Sequence, residues 1–386
     1  MRLQFLETAW NNYSQLYCIE RKINQLEKIC VVFKKVGDFM ALKKSDYPYF
    51  REIYPGSYSN CYTGSVSEVL KMYSNEIEEY VIYILGNGFQ LFEKMDEFGD
   101  PKIYFELVKM VDIFCDKIGC SLEFEDVDHI NTKKQVLDSL KNKNRNNIIV
   151  WVNSKHLQYS DLYYSTSGYL HAIVLEKIIN PELIRIRDGL IVSTPAVNCI
   201  ADFHIDLLER SINDNLETPE VVDVMGKLIF LNINGDKIKK LDIPFLINKL
   251  YNDSIKIKDD FKDEDSVILR FYKRCATALA ERDTIQKQSL FIRINKIIKA
   301  LWVIPNRKLF YKILPDLNLN ENDEKKLLQS LDNLLNEWMI LATYCLKCSI
   351  QSEMDEDSLS YYFSKANQGE EIFWNNMVDV LGAYCK

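Results

Sequence analysis

The stretch "LHAIVLEKIINPELIRIRDG" (170–189) decides the fold. Two runs rich in Ile, Val and Leu flank "INPE", whose Asn and Pro favour a turn, so the stretch predicts an antiparallel hairpin. A hairpin centred between Ile179 and Asn180 sets His171 directly opposite Asp188. Opposed residues of an antiparallel pair share a face. One face then reads His171, Ile173 and Leu175 against Asp188, Ile186 and Ile184. The other reads Ala172, Val174 and Glu176 against Arg187, Arg185 and Leu183. The first face is apolar with one polar pair at its open end. A slip of one residue would split that pair across the sheet.

Outward from the hairpin, "NNIIVWVN" (146–153) and "KLIFLNIN" (227–234) are further short β-branched runs bounded by polar residues, and they read as strands. Residues 1–45 read as helical, with Leu16, Ile19, Ile23 and Leu26 at three- and four-residue spacing. "SDYPYFREIYPGSYSN" (45–60) breaks that pattern with two prolines and a glycine, and reads as loop. From Cys61 a helical face resumes through Val66, Val69, Leu70, Tyr73 and Ile77, until "ILGNGF" (84–89) ends it; another helical pattern covers about 101–118. Beyond about residue 240 the pattern is helical to the end. In "EKKLLQSLDNLLNEWMILATYC" (324–345), Leu327, Leu328, Leu331, Leu334, Leu335 and Trp338 make a wide apolar stripe. The expectation is an α+β fold in two domains. Residues 1–235 form the first, with a helical segment at 1–45, and residues 236–386 form an all-helical second.

The composition narrows the functional classes. With 386 residues, 47% of them hydrophobic and 12% aromatic, the chain can bury a large core and is not disordered. A formal net charge of −8 argues against a nucleic-acid binder. No run approaches the roughly 20 apolar residues of a membrane span. The longest candidate, "WMILATYCL" (338–346), reads as helix core, and the first residues lack the apolar run of a signal peptide. Ten cysteines without a secretory signal suggest reduced thiols and a cytoplasmic protein with no membrane partner. Cys345 and Cys348 lack a second pair or a nearby histidine for a zinc site, and read as buried thiols.

Cys61 stands apart because it sits between a Pro-Gly turn and a helical pattern. A thiol is a good nucleophile only as thiolate, and a helix N-terminus favours that charge. Two caps compete. Ser59 or Asn60 would place Cys61 in the first turn, whereas Ser65 to Glu68 fits a capping box and starts the helix four residues later. A nucleophilic cysteine also needs a base, and the chain has four histidines. His129 lies in a polar loop, His156 follows a strand, and His204 falls near a helix start. His171 alone has a carboxylate opposite it. Asp188 can accept from one imidazole nitrogen and leave the other for the thiol, the arrangement a base and its orienting group need. Singly, a strand-end histidine is more often a satisfied polar residue and a turn cysteine inert. The order Cys, His on a strand, Asp on the paired strand is what raises the catalytic reading.

Cys61, the stretch "ILGNGFQLF" (84–92) and the segment "VWVNSKHLQYSDLYYSTSGYLHAIVLEKIINPELIRIRDG" (150–189) together resemble the butirosin biosynthesis protein H family of papain-like acyltransferases. The likeness covers roughly residues 55–210. It implies a papain-like fold, with Cys61 as nucleophile, His171 as base and Asp188 as orienter. It also implies acyl transfer from a carrier-protein thioester to a small amine, a diamine among the candidates, in thiotemplated natural-product assembly. No cofactor is implied beyond the phosphopantetheine arm on the acyl or peptidyl carrier protein. Two features depart from the family. Gly189 follows the aspartate where a proline is common, and no glutamine lies between Gln25 and Cys61 to supply an oxyanion donor. Asn60, the nearest amide side chain, is the expected replacement, with the Cys61 backbone N–H as the second donor.

The resemblance also implies an acidic carrier protein, which directs attention to Arg293, Lys296 and Lys299 on one helix, and to Lys141, Lys143 and Arg145. The bland reading of either group is a solvated face. The same three catalytic residues would also serve a cysteine peptidase or amidase, and a binding module with a coincidental triad is the third reading. The helical second domain is the candidate for covering the site against water.

Overall fold

The computed structural model describes residues 50–55, 58–73, 77–96, 99–142, 147–160, 163, 169–191, 197–214, 226–233, 242–262, 265–351 and 355–385. The expected helical segment at 1–45 lies outside them. The α+β class holds. A seven-stranded sheet has the order β1-β8-β7-β6-β5-β9-β4, and all its pairings are antiparallel. Its strands are β1 (Arg51–Pro55), β4 (Cys120–Asp126), β5 (Ile148–Asn153), β6 (Leu170–Asn180), β7 (Leu183–Ile191), β8 (Val197–His204) and β9 (Lys227–Ile233). A separate hairpin joins β2 (Phe92–Met95) to β3 (Pro101–Tyr104).

Helix α1 (Cys61–Lys71) lies on β6 and β7; α2 (Glu79–Leu85) and α3 (Leu107–Ile118) follow beside it. Ala172 and Val174 of β6 and Ile149 and Trp151 of β5 share one core with Tyr62, Val66 and Val69 of α1. Alternation along the strands turns His171, Ile173 and Leu175 to the other face. Helices α4 (Thr132–Lys141) and α5 (Ile205–Asn213) pack against β6 and β5.

Three expectations need correction. "REIYP", read as loop, is the edge strand β1, held by pairing with β8 from Arg51↔Ala201 to Pro55↔Val197; its one proline, Pro55, sits at the strand's end on the sheet edge, where a proline is tolerated. The helical pattern at 101–118 contains a strand, β3, before α3 begins at Leu107. The α1 face stops short of Tyr73, which is 48% exposed beyond the helix end at Lys71.

The hairpin register also differs. Leu175 pairs with Ile186 rather than Ile184, and Val174 with Arg187, which sets Ile173 opposite Asp188 and makes His171 the diagonal neighbour of that carboxylate. The turn lies later than expected because Asn180 Oδ1 accepts the N–H groups of Glu182 and Leu183, each at 2.9 Å, around Pro181. Two single-residue irregularities, at Leu175/Lys177 and Ile178/Asn180, then correct the register on the way to the site. One bulge would exchange the faces. Two restore them, so His171 and Asp188 stay together.

The helical region comprises α6 (Ile243–Phe261), α7 (Val267–Ala280), α8 (Thr284–Lys296), α9 (Val303–Lys308), α10 (Phe310–Asp316), α11 (Glu321–Gln351) and α12 (Glu356–Gly382), with a π-helical turn at Ile297–Leu301. The change from strands to helices falls between Ile233 and Ile243, near the expected 235. Packing does not divide there. Residues 49–386 form one compact unit, and one hydrophobic core runs from Val66 through Phe89 and Phe114 to Leu331, Trp338 and Trp374. Arg307 fastens the helices to the "GNGF" loop: its Nη1 donates to the Phe89 carbonyl at 2.9 Å and its Nε to Glu370 at 3.0 Å. Trp338 and Trp374 also donate to that carboxylate, at 2.9 and 2.8 Å. Among the described residues no helix is long and apolar enough to cross a membrane.

Candidate active site

The competition between caps is resolved in favour of Asn60. Its backbone is extended (φ −149°, ψ 146°) and its Oδ1 accepts the Tyr62 N–H at 2.8 Å, so α1 starts at Cys61. The rival capping-box residues are buried inside the helix and serve tertiary contacts. Ser65 Oγ donates to the Ala172 carbonyl at 3.2 Å, and Glu68 accepts from Tyr58 at 2.5 Å and Arg187 at 3.4 Å. Cys61 therefore occupies the first turn, at the positive end of the helix dipole. It is half-buried, whereas Cys115, Cys120, Cys199, Cys275, Cys345 and Cys348 are buried.

Close approach of α1 to the sheet depends on two glycines. A Cβ on Gly189 would stand 3.1 Å from the Gly64 carbonyl carbon and 3.1 Å from Tyr58; one on Gly64 would stand 2.9 Å from the Tyr58 side chain. Gly189 thus lies where the helix backbone meets β7.

His171 and Asp188 are each 1% exposed, with His171 Nε2 2.8 Å from Asp188 Oδ1. Cys61 lies close enough to the His171 ring to act on its protonation. Because Asp188 takes Nε2, Nδ1 is the nitrogen left for the thiol. Burial pulls the His171 pKa down, but the Asp188 carboxylate and Cys61 outweigh it and push the imidazole up to about 10. Burial acts on Asp188 in the opposite sense to His171 and the surrounding donors, and the net effect holds its carboxyl below the ordinary value.

Asp188 has more partners than the sequence reading supplied. Its Oδ1 also accepts the Leu190 N–H at 3.0 Å. Its Oδ2 accepts from Tyr159 at 2.8 Å and lies 2.9 Å from the Tyr163 hydroxyl. Tyr163 also stands 3.1 Å from His171 Nε2 and 2.9 Å from the Leu190 carbonyl. Tyr169 packs edge-on against the His171 ring, with centroids 5.9 Å apart. The only local sign of this cage was the density of tyrosines between 159 and 169, just ahead of His171.

A second unforeseen residue lies beneath the Cys61 loop. Glu79, the first residue of α2, is 3% exposed. It accepts from the Ser59 N–H at 2.8 Å, Ser59 Oγ at 2.8 Å, Thr63 Oγ1 at 2.6 Å and the Asn60 N–H at 3.4 Å. Burial pushes its carboxyl up, against those hydrogen bonds and the charge of Lys312.

The other three histidines are engaged elsewhere. His204 caps α5 through Nδ1, 3.2 Å from the Asp206 N–H. His156 Nε2 lies 2.6 Å from Asp214, and His129 Nδ1 2.9 Å from Asn213. The basic row on α8 is interrupted, because Arg293 pairs with Asp96 and Asp100; Lys296 and Lys299 are exposed. Lys141 pairs with Asp138 at 3.5 Å, and Lys143 and Arg145 lie outside the described residues. No group of three or more His, Cys, Asp or Glu side chains that could hold a metal ion occurs among the described residues. Neither a protein-family model nor a curated protein sequence matches the chain.

Proposed function

We propose that this chain is a papain-like, cysteine-dependent acyltransferase that forms amides. The observation that carries the reading is the alignment of Cys61, His171 and Asp188: a thiol at a helix N-terminus, an imidazole held as a cation beside it, and a buried carboxylate on the far nitrogen. The resemblance to the butirosin biosynthesis protein H family supplies the substrates. Within that family the chain looks most like the amide-forming enzyme of closthioamide assembly, a thiotemplated pathway.

Cys61 attacks the thioester carbon of an acyl or peptidyl group carried on phosphopantetheine. A Cys61 S–C bond forms, the carrier S–C bond breaks, and His171 gives its proton to the departing thiolate. One thioester replaces another, so the step needs no ATP. An amine nitrogen then attacks the Cys61 acyl group and passes a proton to His171, and the Cys61 S–C bond breaks to leave an amide. The Cys61 N–H and the Asn60 amide are the proposed oxyanion donors. The helical region is the proposed cover, supported by the bond between Tyr80 of α2 and Asp316 of α10 at 2.5 Å on the Glu79 side. Since Arg293 turns inward, carrier docking falls to other cations, Lys296 and Lys299 among them.

The test is intact-protein mass spectrometry after incubation with an acyl-carrier thioester. The expected result is a mass increase that is absent from Cys61→Ala and is discharged by an amine faster than by water. Discharge by water alone would make the chain a hydrolase, the peptidase or amidase alternative. An adduct that survives in Cys61→Ala would refute the assignment.

A further inference from the structure

We infer that Glu79 is a positioning residue for acyl transfer at Cys61, acting by fixing the Ser59–Asn60 backbone so that the Cys61 N–H is preset as an oxyanion donor. This rests on the nucleophile reading of Cys61 and deepens it.

Glu79 gathers the donors around the start of α1. The Ser59 N–H, the Asn60 N–H and the hydroxyls of Ser59 and Thr63 all point to its carboxylate, and Ser59 Oγ also lies 2.8 Å from the Tyr83 hydroxyl. Asn60 Oδ1 takes the Tyr62 N–H, and the Asn60 carbonyl takes the Gly64 N–H at 2.9 Å. Each amide flanking Cys61 on the chain is therefore committed. The Cys61 N–H belongs to the first turn of α1, whose N–H groups have no acceptor within the helix, and it stands beside the thiol, where the negative oxygen of a tetrahedral intermediate develops.

The chemistry of the side chain fits this task better than a structural one. A buried carboxylate is costly, and a glutamine of the same size would fill the space. Glutamine, however, offers one acceptor oxygen where Glu79 offers two, and its NH₂ would face donors. Oε1 takes both Ser59 donors, Thr63 Oγ1 and the Asn60 N–H, and Oε2 takes the Ser59 N–H at 2.8 Å, the contact that a glutamine NH₂ in its place would lose. Glu79 touches neither substrate nor thiol, so its effect runs through the backbone.

Two reactions of the same thiol separate the possibilities. Alkylation by iodoacetamide forms an S–C bond at a saturated carbon and makes no oxyanion. Acylation by a small acyl-N-acetylcysteamine thioester passes through one. In Glu79→Gln we expect iodoacetamide labelling of Cys61 to stay within about threefold of the wild type. The kcat for thioester acylation should fall at least about tenfold, short of the 10²–10³ seen when a donor is removed outright. KM should change little. Circular dichroism establishes that the variant is folded. If it is not, Thr63→Val, which removes one donor and leaves the carboxylate, takes its place with an expected fall of about threefold. Unchanged acylation would overturn the proposal, and so would a parallel fall in both reactions, which would place the effect on the thiol or the fold. A wild type unreactive to both reagents would instead overturn the nucleophile reading itself, and this proposal with it.

Discussion

His171 and Asp188 are diagonal neighbours on adjacent strands, 2.8 Å apart through Nε2 and Oδ1, with both residues buried. The pair makes stability depend on pH with a definite sign. The imidazole titrates near 10 when folded, against an ordinary 6.5. Below 6.5 both folded and unfolded chains hold the proton and the stabilisation is fully present. Between 6.5 and 10 the unfolded chain has released its proton while the folded chain keeps it, so stability falls as pH rises. Thermal melts over this range should show a decline in the wild type that is shallower in Asp188→Asn, which removes the carboxylate that raises the imidazole. Equal slopes would show that the pair is not the source.

The tyrosine cage should matter in proportion to its contacts with the carboxylate. Tyr163→Phe leaves Asp188 Oδ2 with Tyr159 and removes the hydroxyl near the Leu190 carbonyl. A loss of about 1–2 kcal/mol in urea denaturation is expected. Cys61 acylation should slow by about tenfold, the rate equivalent of about 1.4 kcal/mol. Tyr159→Phe, which leaves Tyr163 on Oδ2 and undisturbed beside His171 and the Leu190 carbonyl, should do less. Reversal of that order would mean that the cage acts through something other than Asp188.

Asn60 has two assigned tasks that can be separated. Asn60→Ala removes the cap and should cost about 1 kcal/mol of stability. Asn60→Asp keeps the acceptor oxygen for the Tyr62 N–H and should recover that stability, yet it has no amide to donate. If the Asn60 amide serves the oxyanion, acylation stays low in both variants. Recovery of acylation in Asn60→Asp would confine Asn60 to capping.

The approach of α1 to β7 is set by Gly189 against Gly64. Gly189→Ala puts a Cβ 3.1 Å from the Gly64 backbone, so the helix must move by a few tenths of an ångström. A destabilisation of about 1–3 kcal/mol is expected. Iodoacetamide labelling of Cys61 should change with it, because the thiol moves with the helix. A variant as stable and as reactive as the wild type would contradict the contact.

Arg307 and Glu370 are both fully buried and bonded at 3.0 Å. Among the described residues, Arg307→Met leaves the Glu370 carboxylate with its two tryptophan donors. The expected cost is about 3–5 kcal/mol, read from chemical denaturation. Since the core is continuous, strand and helix signals should be lost in one transition.

The sequence by itself singled out Cys61, His171 and Asp188 as the candidate residues and determined the face that two of them share. Side chains on a strand alternate with a period of two, so an even shift of register leaves the face of His171 and Asp188 unchanged. Runs of β-branched and apolar residues likewise placed β5, β6, β7 and β9 and the helical second half, but left β4 and β8 unread. The tertiary structure decided the rest, because each remaining answer depends on residues far apart in the chain. Asn60 won the cap because Ser65 and Glu68 were claimed by Ala172, Tyr58 and Arg187. The edge strand β1 exists because β8 lies beside it, and Arg293 is taken up in ion pairs because Asp96 and Asp100 come to meet it. Glu79, eighteen positions beyond Cys61, gave no local sign. Packing alone brought its carboxylate beneath the loop that carries the thiol.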